Sequence, residues 1–187
     1  MKKVALLLID IQNDYFAEGL NPLVKSEEAV KKAQLVLNIF RLKGLPVFHI
    51  QHISVRAGSS FFLPGTTGAE IHPLLTPLPS ETLIIKHYPN SFRETPLMVE
   101  LQERSISNLI ISGMMTHMCV DATVRAARDF GFNCTVIGDA CATKELQFKS
   151  KIINAESVHY SFLAALRGFY ADITTANEFC FSLDNNH

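Results

Sequence analysis

The sequence predicts an α/β protein: a three-layer α/β/α sandwich with a mostly parallel, Rossmann-like sheet of six strands. Three observations carry that expectation. Short apolar runs alternate with longer amphipathic ones, the pattern of βαβ units that feed a parallel sheet. An apolar share of 48 % over 187 residues supplies one sizeable core, and the length is too short for two comfortable ones. No repeat, low-complexity segment or linker interrupts the chain, so residues 1–187 are expected to form one domain.

Val4 to Ile9 is the first strand, a buried apolar run. Ser26 is placed as the N-cap of a helix with Glu27 and Glu28 in its first turn. Ala29, Ala33, Val36, Leu37 and Phe40 give that helix one apolar face, and Gly44 ends it. Pro46 to Gln51 is the second strand. Ser54 to Pro79 holds four of the eight prolines with little periodicity, and so long a connection in a compact domain points to function. Thr82 to Lys86 is the third strand, Pro96 to Arg104 a short helix, and Asn108 to Ser112 the fourth strand. Met118 to Phe130 reads as a helix closed by Gly131, followed by a fifth strand at Cys134 to Ile137. Gln147 to Leu166 is expected as one helix, and Ala171 to Thr174 as the last strand.

The balance of charge excludes some functions. Lys plus Arg (17) nearly match Asp plus Glu (18), so no field draws the protein to nucleic acid or a lipid surface. No apolar stretch reaches the roughly 20 residues a bilayer needs. The opening MKKVALLLIDIQNDYF superficially resembles a signal peptide, but a buried first strand is the better reading. The four cysteines form no CxxC pair, which fits free thiols in a reducing cytoplasm.

In an open parallel sheet, ligands bind at the carboxyl ends of the strands. The first strand ends in Asp10 and the third in Lys86; the fourth runs through Gly113 into a turn carrying Cys119. Asp139 follows the fifth and is expected to cap the turn there. A cysteine at a helix start has unpaired N–H groups and the positive dipole end beside it, both of which favour the thiolate. Lys86 would push the same way, and Asp10 could hold that lysine or accept the thiol proton. Taken singly, each has a plainer reading: a small core residue, a turn carboxylate, a lysine reaching solvent. Phe16, Tyr88 and Phe92 lie near these three in sequence and would wall a pocket or join the core. His117, two residues before Cys119, is a turn residue or a ligand contact. Cys134 and Cys141 read as structural, and His159 as a packing residue on its helix.

These residues fall in motifs. LLLIDIQNDYF resembles the opening D-x-Q-N-x-F of isochorismatase-like cysteine hydrolases, the family that includes nicotinamidases and N-carbamoylsarcosine amidohydrolases. IIKHYPNSF looks like that family's lysine segment, and LIISGMMTHMCVDATVRAARDFGF like its nucleophile segment. VIGDACAT and VHYSFLAAL match later segments in order, so the resemblance runs from about Val4 to Glu178. It implies a triad of Asp10, Lys86 and Cys119. It also implies a cis peptide between Met114 and Met115, with the Met115 and Cys119 amides forming an oxyanion hole. The implied chemistry is hydrolysis of a small-molecule amide-type C–N bond through a thioester on Cys119, without a cofactor. Alternatives are a non-enzymatic ligand-binding or assembly member, and vinyl-ether hydrolysis of the isochorismatase type. Nicotinamidases carry Asp-x-His after the second strand for a metal. Here VFHIQHISVRAGSS has His49 and His52 but no such pair, and residues three apart on a strand face opposite ways. His72 added to either leaves a weak site, so no metal is expected. The resemblance and the apolar C-terminal third also imply a homo-oligomer, a dimer or higher.

Overall fold

The computed structural model describes residues 3–185. Strand β1 (Lys3–Ile9) lies in the interior of a six-stranded sheet, and five successive residues of it are buried. A run of apolar residues with no polar alternation suits a strand covered on both faces. α1 (Ser26–Leu42) leads to β2 (Val47–His52), and the long connection after it leads to β3 (Thr82–Lys86). α2 (Leu97–Glu103) precedes β4 (Ile106–Met114), and a π-helical turn at Thr116–Val120 opens α3 (Asp121–Asp129). β5 (Asn133–Ala142) is followed by a small hairpin, β6 (Leu146–Phe148) with β7 (Lys151–Ile153), then α4 (Ala155–Leu166), β8 (Asp172–Thr174) and α5 (Ala176–Asn185).

The sheet order is β3-β2-β1-β4-β5-β8, with every pairing parallel. The chain winds outward from β1 to β3, then returns to the far side of β1 for β4. This reversal makes the carboxyl ends of β1 and β4 a topological switch point, where a crevice opens because the flanking connections part in opposite directions. Two apolar clusters, one on each face of the sheet, complete the three layers. One packs β-strand residues against Leu97, Leu101, Val120, Val124 and Leu166; the other packs them against Val30, Ala33, Leu37 and Phe40 of α1. Each fully buried Val, Leu or Phe among them is worth about 1.5–3 kcal/mol relative to exposure.

Several expected boundaries move. Ser26 does not cap α1: Lys25 occupies the cap position at φ 62° without a side-chain cap bond, and the Ser26 hydroxyl instead donates to Leu23 O at 3.3 Å. The expected helix over residues 147–166 begins only at Ala155. Its first part is the antiparallel β6–β7 hairpin, because Lys149 turns at φ 55° and β-branched Ile152 and Ile153 suit a strand. Asn154 then caps α4, accepting from Ser157 N at 2.8 Å. β5 runs on to Ala142, so Asp139 lies within the strand and not in a turn after it. It caps α5 instead, accepting from Ala176 N at 2.7 Å. Helix α5 itself was readable in Thr175-x-x-Glu178, a capping box. Glu178 Oε2 accepts from Thr175 N at 3.1 Å, and Thr175 Oγ1 accepts from Glu178 N at 3.3 Å.

Candidate active site

Asp10, Lys86 and Cys119 meet at the switch point. Asp10 leaves β1 at φ 50°, with its N–H held by Ile50 O at 3.0 Å. Lys86 ends β3 and is fully buried, two strands away from β1. Its Nζ donates to Asp10 Oδ2 at 2.6 Å, to His52 Nδ1 at 3.2 Å and to Tyr88 O at 3.1 Å. Cys119 sits in the π-helical turn, 6 % exposed. Its Sγ, a carboxylate oxygen of Asp10 and a ring nitrogen of His52 all lie within 4.8 Å of one another. The second Asp10 oxygen, Oδ1, is buried without a hydrogen-bond partner. A buried carboxylate oxygen left free costs energy, and the Cys119 thiol is among the groups gathered around this carboxylate.

The electrostatics follow from that packing. Burial works against the Lys86 ammonium, but the Asp10 charge and then Cys119 outweigh it and hold the group above the usual lysine range. Burial, then the Asp10 charge, pushes the Cys119 thiol up, and Lys86 pulls it down without prevailing. The balance favours the neutral thiol. Loss of water around the sulfur thus works against the helix terminus and the ammonium, both of which favour the thiolate. Burial likewise lowers His52 to about 4, with Asp10 opposing and Lys86 and His87 reinforcing the shift.

The backbone before Cys119 is unusual in two ways. Gly113 has φ 142°, and a Cβ there would collide with the Ile9 carbonyl oxygen, so β4 and β1 approach only because the residue is glycine. The Met114–Met115 peptide is cis.

A cavity of about 590 Å³ opens over Cys119, lined by Tyr15, His52, Phe61, Phe62, Tyr88 and Met118 among others, with Met115 also on its wall. Of the expected wall residues only Tyr88 is there, its ring covered by the Arg93 guanidinium at 3.7 Å. Phe16 points away and packs on His72 at 4.2 Å, beside a separate cleft. Phe92 is core: Ser91 bonds Thr123 through its N–H and hydroxyl, which turns the Phe92 ring onto Phe130 and Phe132. His117 bonds Thr143 Oγ1 at 2.5 Å and faces Phe162, so Met118 reaches the cavity in its place. His159 bonds the Thr116 hydroxyl at 2.9 Å and so braces the turn that carries Cys119. Phe61 and Phe62 were legible only as members of a suspiciously long connection. Tyr15 is next to Phe16, and in a 3₁₀ turn the sequence does not say which ring faces inward.

Buried polar side chains fix this wall. Gln12 Nε2 donates to His52 O and Ala69 O at 2.9 and 2.7 Å, and its Oε1 accepts from His52 N at 2.7 Å. Asp14 accepts from Phe62 N at 2.6 Å, which holds Phe62 at φ 54°. The histidines weighed for a metal are not gathered: His49 bonds Glu81 at 2.8 Å, and His72 Nδ1 accepts from Leu74 N at 3.2 Å. Among the described residues the one convergent donor set is Asp10, His52 and Cys119. The Lys86 ammonium already bonds two of those three, and its charge repels a second cation. This set does not fit a metal ion.

Comparison with known proteins gives concordant matches. A model of the isochorismatase domain matches residues 4–178. The uncharacterised isochorismatase family protein YddQ of Bacillus subtilis (strain 168) is 51 % identical over 175 residues, covering 94 % of this chain and 97 % of that protein. A protein of Oleispira antarctica, whose structure is described as that of an isochorismatase hydrolase, superposes with a TM-score of 0.93 at 44 % identity, covering 96 % and 97 % of the two chains. A streptothricin hydrolase of Streptomyces noursei is 29 % identical, over 76 % of this chain and 50 % of its own length.

Proposed function

This chain belongs to the isochorismatase family, and from that membership and the buried triad we propose a cysteine-dependent hydrolase of a small-molecule amide-type C–N bond. One observation carries the reading: Asp10 is held by Lys86 through Oδ2 and keeps Oδ1 free beside a buried thiol. That is a general base presented to a nucleophile, with a cation bonded to its other oxygen.

In the proposed cycle Asp10 takes the Cys119 proton as sulfur attacks the substrate carbonyl. The tetrahedral oxyanion rests on the Met115 and Cys119 amides. It collapses with cleavage of the C–N bond, and Asp10 returns the proton to the departing nitrogen. Water, deprotonated by Asp10, then attacks the thioester; the acid leaves and the thiol is restored. The streptothricin hydrolase relative is, by its name, a hydrolase. The test is ammonia release from a panel of small primary amides, carbamoyl compounds and lactams, with Cys119→Ala as control. Turnover confined to the wild-type chain supports the reading, and turnover that survives Cys119→Ala refutes it.

Self-association is proposed as well. Phe148 and Ile153 share one face of the β6–β7 hairpin and are 69 % and 41 % exposed, an apolar surface of the kind that pairs with another copy. Light scattering that gives a monomer mass at micromolar concentration would refute it. No helix among the described residues is long and apolar enough to cross a membrane.

A further inference from the structure

The cavity over Cys119 contains two hydrogen-bond donors that the proposed cycle does not use. Tyr15 is 2 % exposed, and its ring is clamped by Phe62 at 4.6 Å and Phe61 at 5.9 Å. Its backbone is committed, the N–H to Gln12 O and the carbonyl to Leu23 N, both at 3.0 Å. No hydrogen bond among the described residues engages its hydroxyl. A buried tyrosine ordinarily finds a partner for its O–H, and this one lines the cavity. Burial, with Cys119, Asp10 and Asp14 nearby, raises the phenol further and keeps it a neutral donor.

His52 supplies the second donor. The Lys86 ammonium can only donate, so His52 Nδ1, 3.2 Å away, accepts. The proton of the neutral imidazole must then sit on Nε2. Gln12 grips both the N–H and the carbonyl of His52, so the ring is held, and the cavity wall includes it. The two donors flank Phe62, whose ring lies 4.6 Å from Tyr15 and 5.9 Å from His52. In the pattern D-x-Q-N-x-F that the opening of the chain resembles, the aromatic position corresponds to Tyr15; the hydroxyl is the group by which this chain departs from it.

We infer that Tyr15 and His52 recognise a hydrogen-bond acceptor on the acyl side of the substrate. The substrates are then compact amides that carry a second carbonyl or equivalent acceptor, and simple aliphatic amides are poor ligands. This rests on the hydrolase reading for the word substrate, but the recognition itself is separable from turnover. A site built to bond an acceptor discriminates against an isostere that lacks one, because its donors then face an apolar group in place of a partner.

The experiment measures binding to the Cys119→Ala protein by ligand-observed NMR, so that no chemistry intervenes. The probes are two isosteric pairs: 3-oxobutanamide against 3-methylbutanamide, and 4-oxopentanamide against 4-methylpentanamide. At least one oxo compound is expected to bind about 3–10-fold tighter than its methyl isostere. Adding Tyr15→Phe or His52→Leu should remove most of that preference, whereas His52→Gln, which keeps an N–H near the Nε2 position, should retain part of it. Circular dichroism of each variant checks that it is folded. The inference is overturned if neither oxo compound is preferred, if none of the four binds, or if the preference survives both Tyr15→Phe and His52→Leu. Failure of the wild-type chain to hydrolyse any amide would count against the hydrolase reading alone and leave a Tyr15-dependent preference standing.

Discussion

Asp10 and Lys86 form an ion pair in which both side chains are fully buried. Removing one partner of a buried ion pair costs about 3–5 kcal/mol, because the other is left uncompensated. Asp10→Asn should therefore lose both stability and turnover, by at least about 10²-fold in kcat. The double variant Asp10→Asn with Lys86→Met should regain much of the stability and none of the turnover. Equilibrium urea unfolding beside an ammonia-release assay separates the two effects, and recovery of turnover in the double variant would remove Asp10 from the chemistry. The thiol offers a second test at this scale. Since burial and Asp10 push Cys119 up, thiolate absorbance near 240 nm, taken as wild type minus Cys119→Ala, should be absent at pH 7. Its presence there would mean that Lys86 outweighs burial.

At the scale of elements, the connection entering β3 is tied to α1 by one carboxylate. Glu81 accepts from Arg41 Nε and Nη2 at 2.7 and 2.8 Å, from Leu78 N at 2.9 Å, and bonds His49 Nε2 at 2.8 Å. Burial opposes its charge, but the Arg41, Leu78 and His49 contacts prevail and bring Glu81 down to about 2 from 4.5. A depressed acid stabilises the fold above its unfolded value and loses that contribution as pH falls through the folded one. Glu81→Gln should then cost about 2 kcal/mol at pH 7, and the gap from wild type should close between pH 4.5 and 2. Urea midpoints at pH 7 and pH 3 read this out, and an equal gap at both would show that the ionic part is negligible. Gly113 is the other element-level constraint. Gly113→Ala places a Cβ on the Ile9 carbonyl between the two strands that carry the site. A loss of more than about 2 kcal/mol in the same assay is expected.

Across the whole molecule, the winding order makes one crevice from residues 10, 86 and 119, and burial there has a cost that depends on pH. His49, His52, His72, His117 and His159 are all lowered, in each case first by burial. Below about pH 6.5 the unfolded chain therefore binds more protons than the folded one, and stability falls with pH at up to about 1.4 kcal/mol per unit for each histidine that titrates only when unfolded. Urea midpoints should drop steadily from pH 7 to pH 5, before the carboxylates matter. A flat profile over that range would mean that these histidines protonate without unfolding.

Much of this architecture is local and so was legible. The apolar run of β1, the α1 stripe ended by Gly44, and the carboxyl-end positions of Asp10, Lys86 and Cys119 follow from periodicity and from the rule that parallel sheets bind at strand ends. Motif order added the cis peptide at Met114–Met115, which no periodicity announces. Other features were legible but outweighed or overlooked: a helical reading of residues 147–154 concealed a hairpin, and the Thr175-x-x-Glu178 capping box carried α5. Tertiary contact alone decided the rest. Whether Tyr15 or Phe16 faces the thiol depends on Phe61 and Phe62 packing back from a distant connection. Whether Cys119 rests as thiol or thiolate depends on how much water the assembled walls exclude. Both are set by neighbours far away in sequence, because facing and desolvation are properties of the packed surroundings and not of the residue itself.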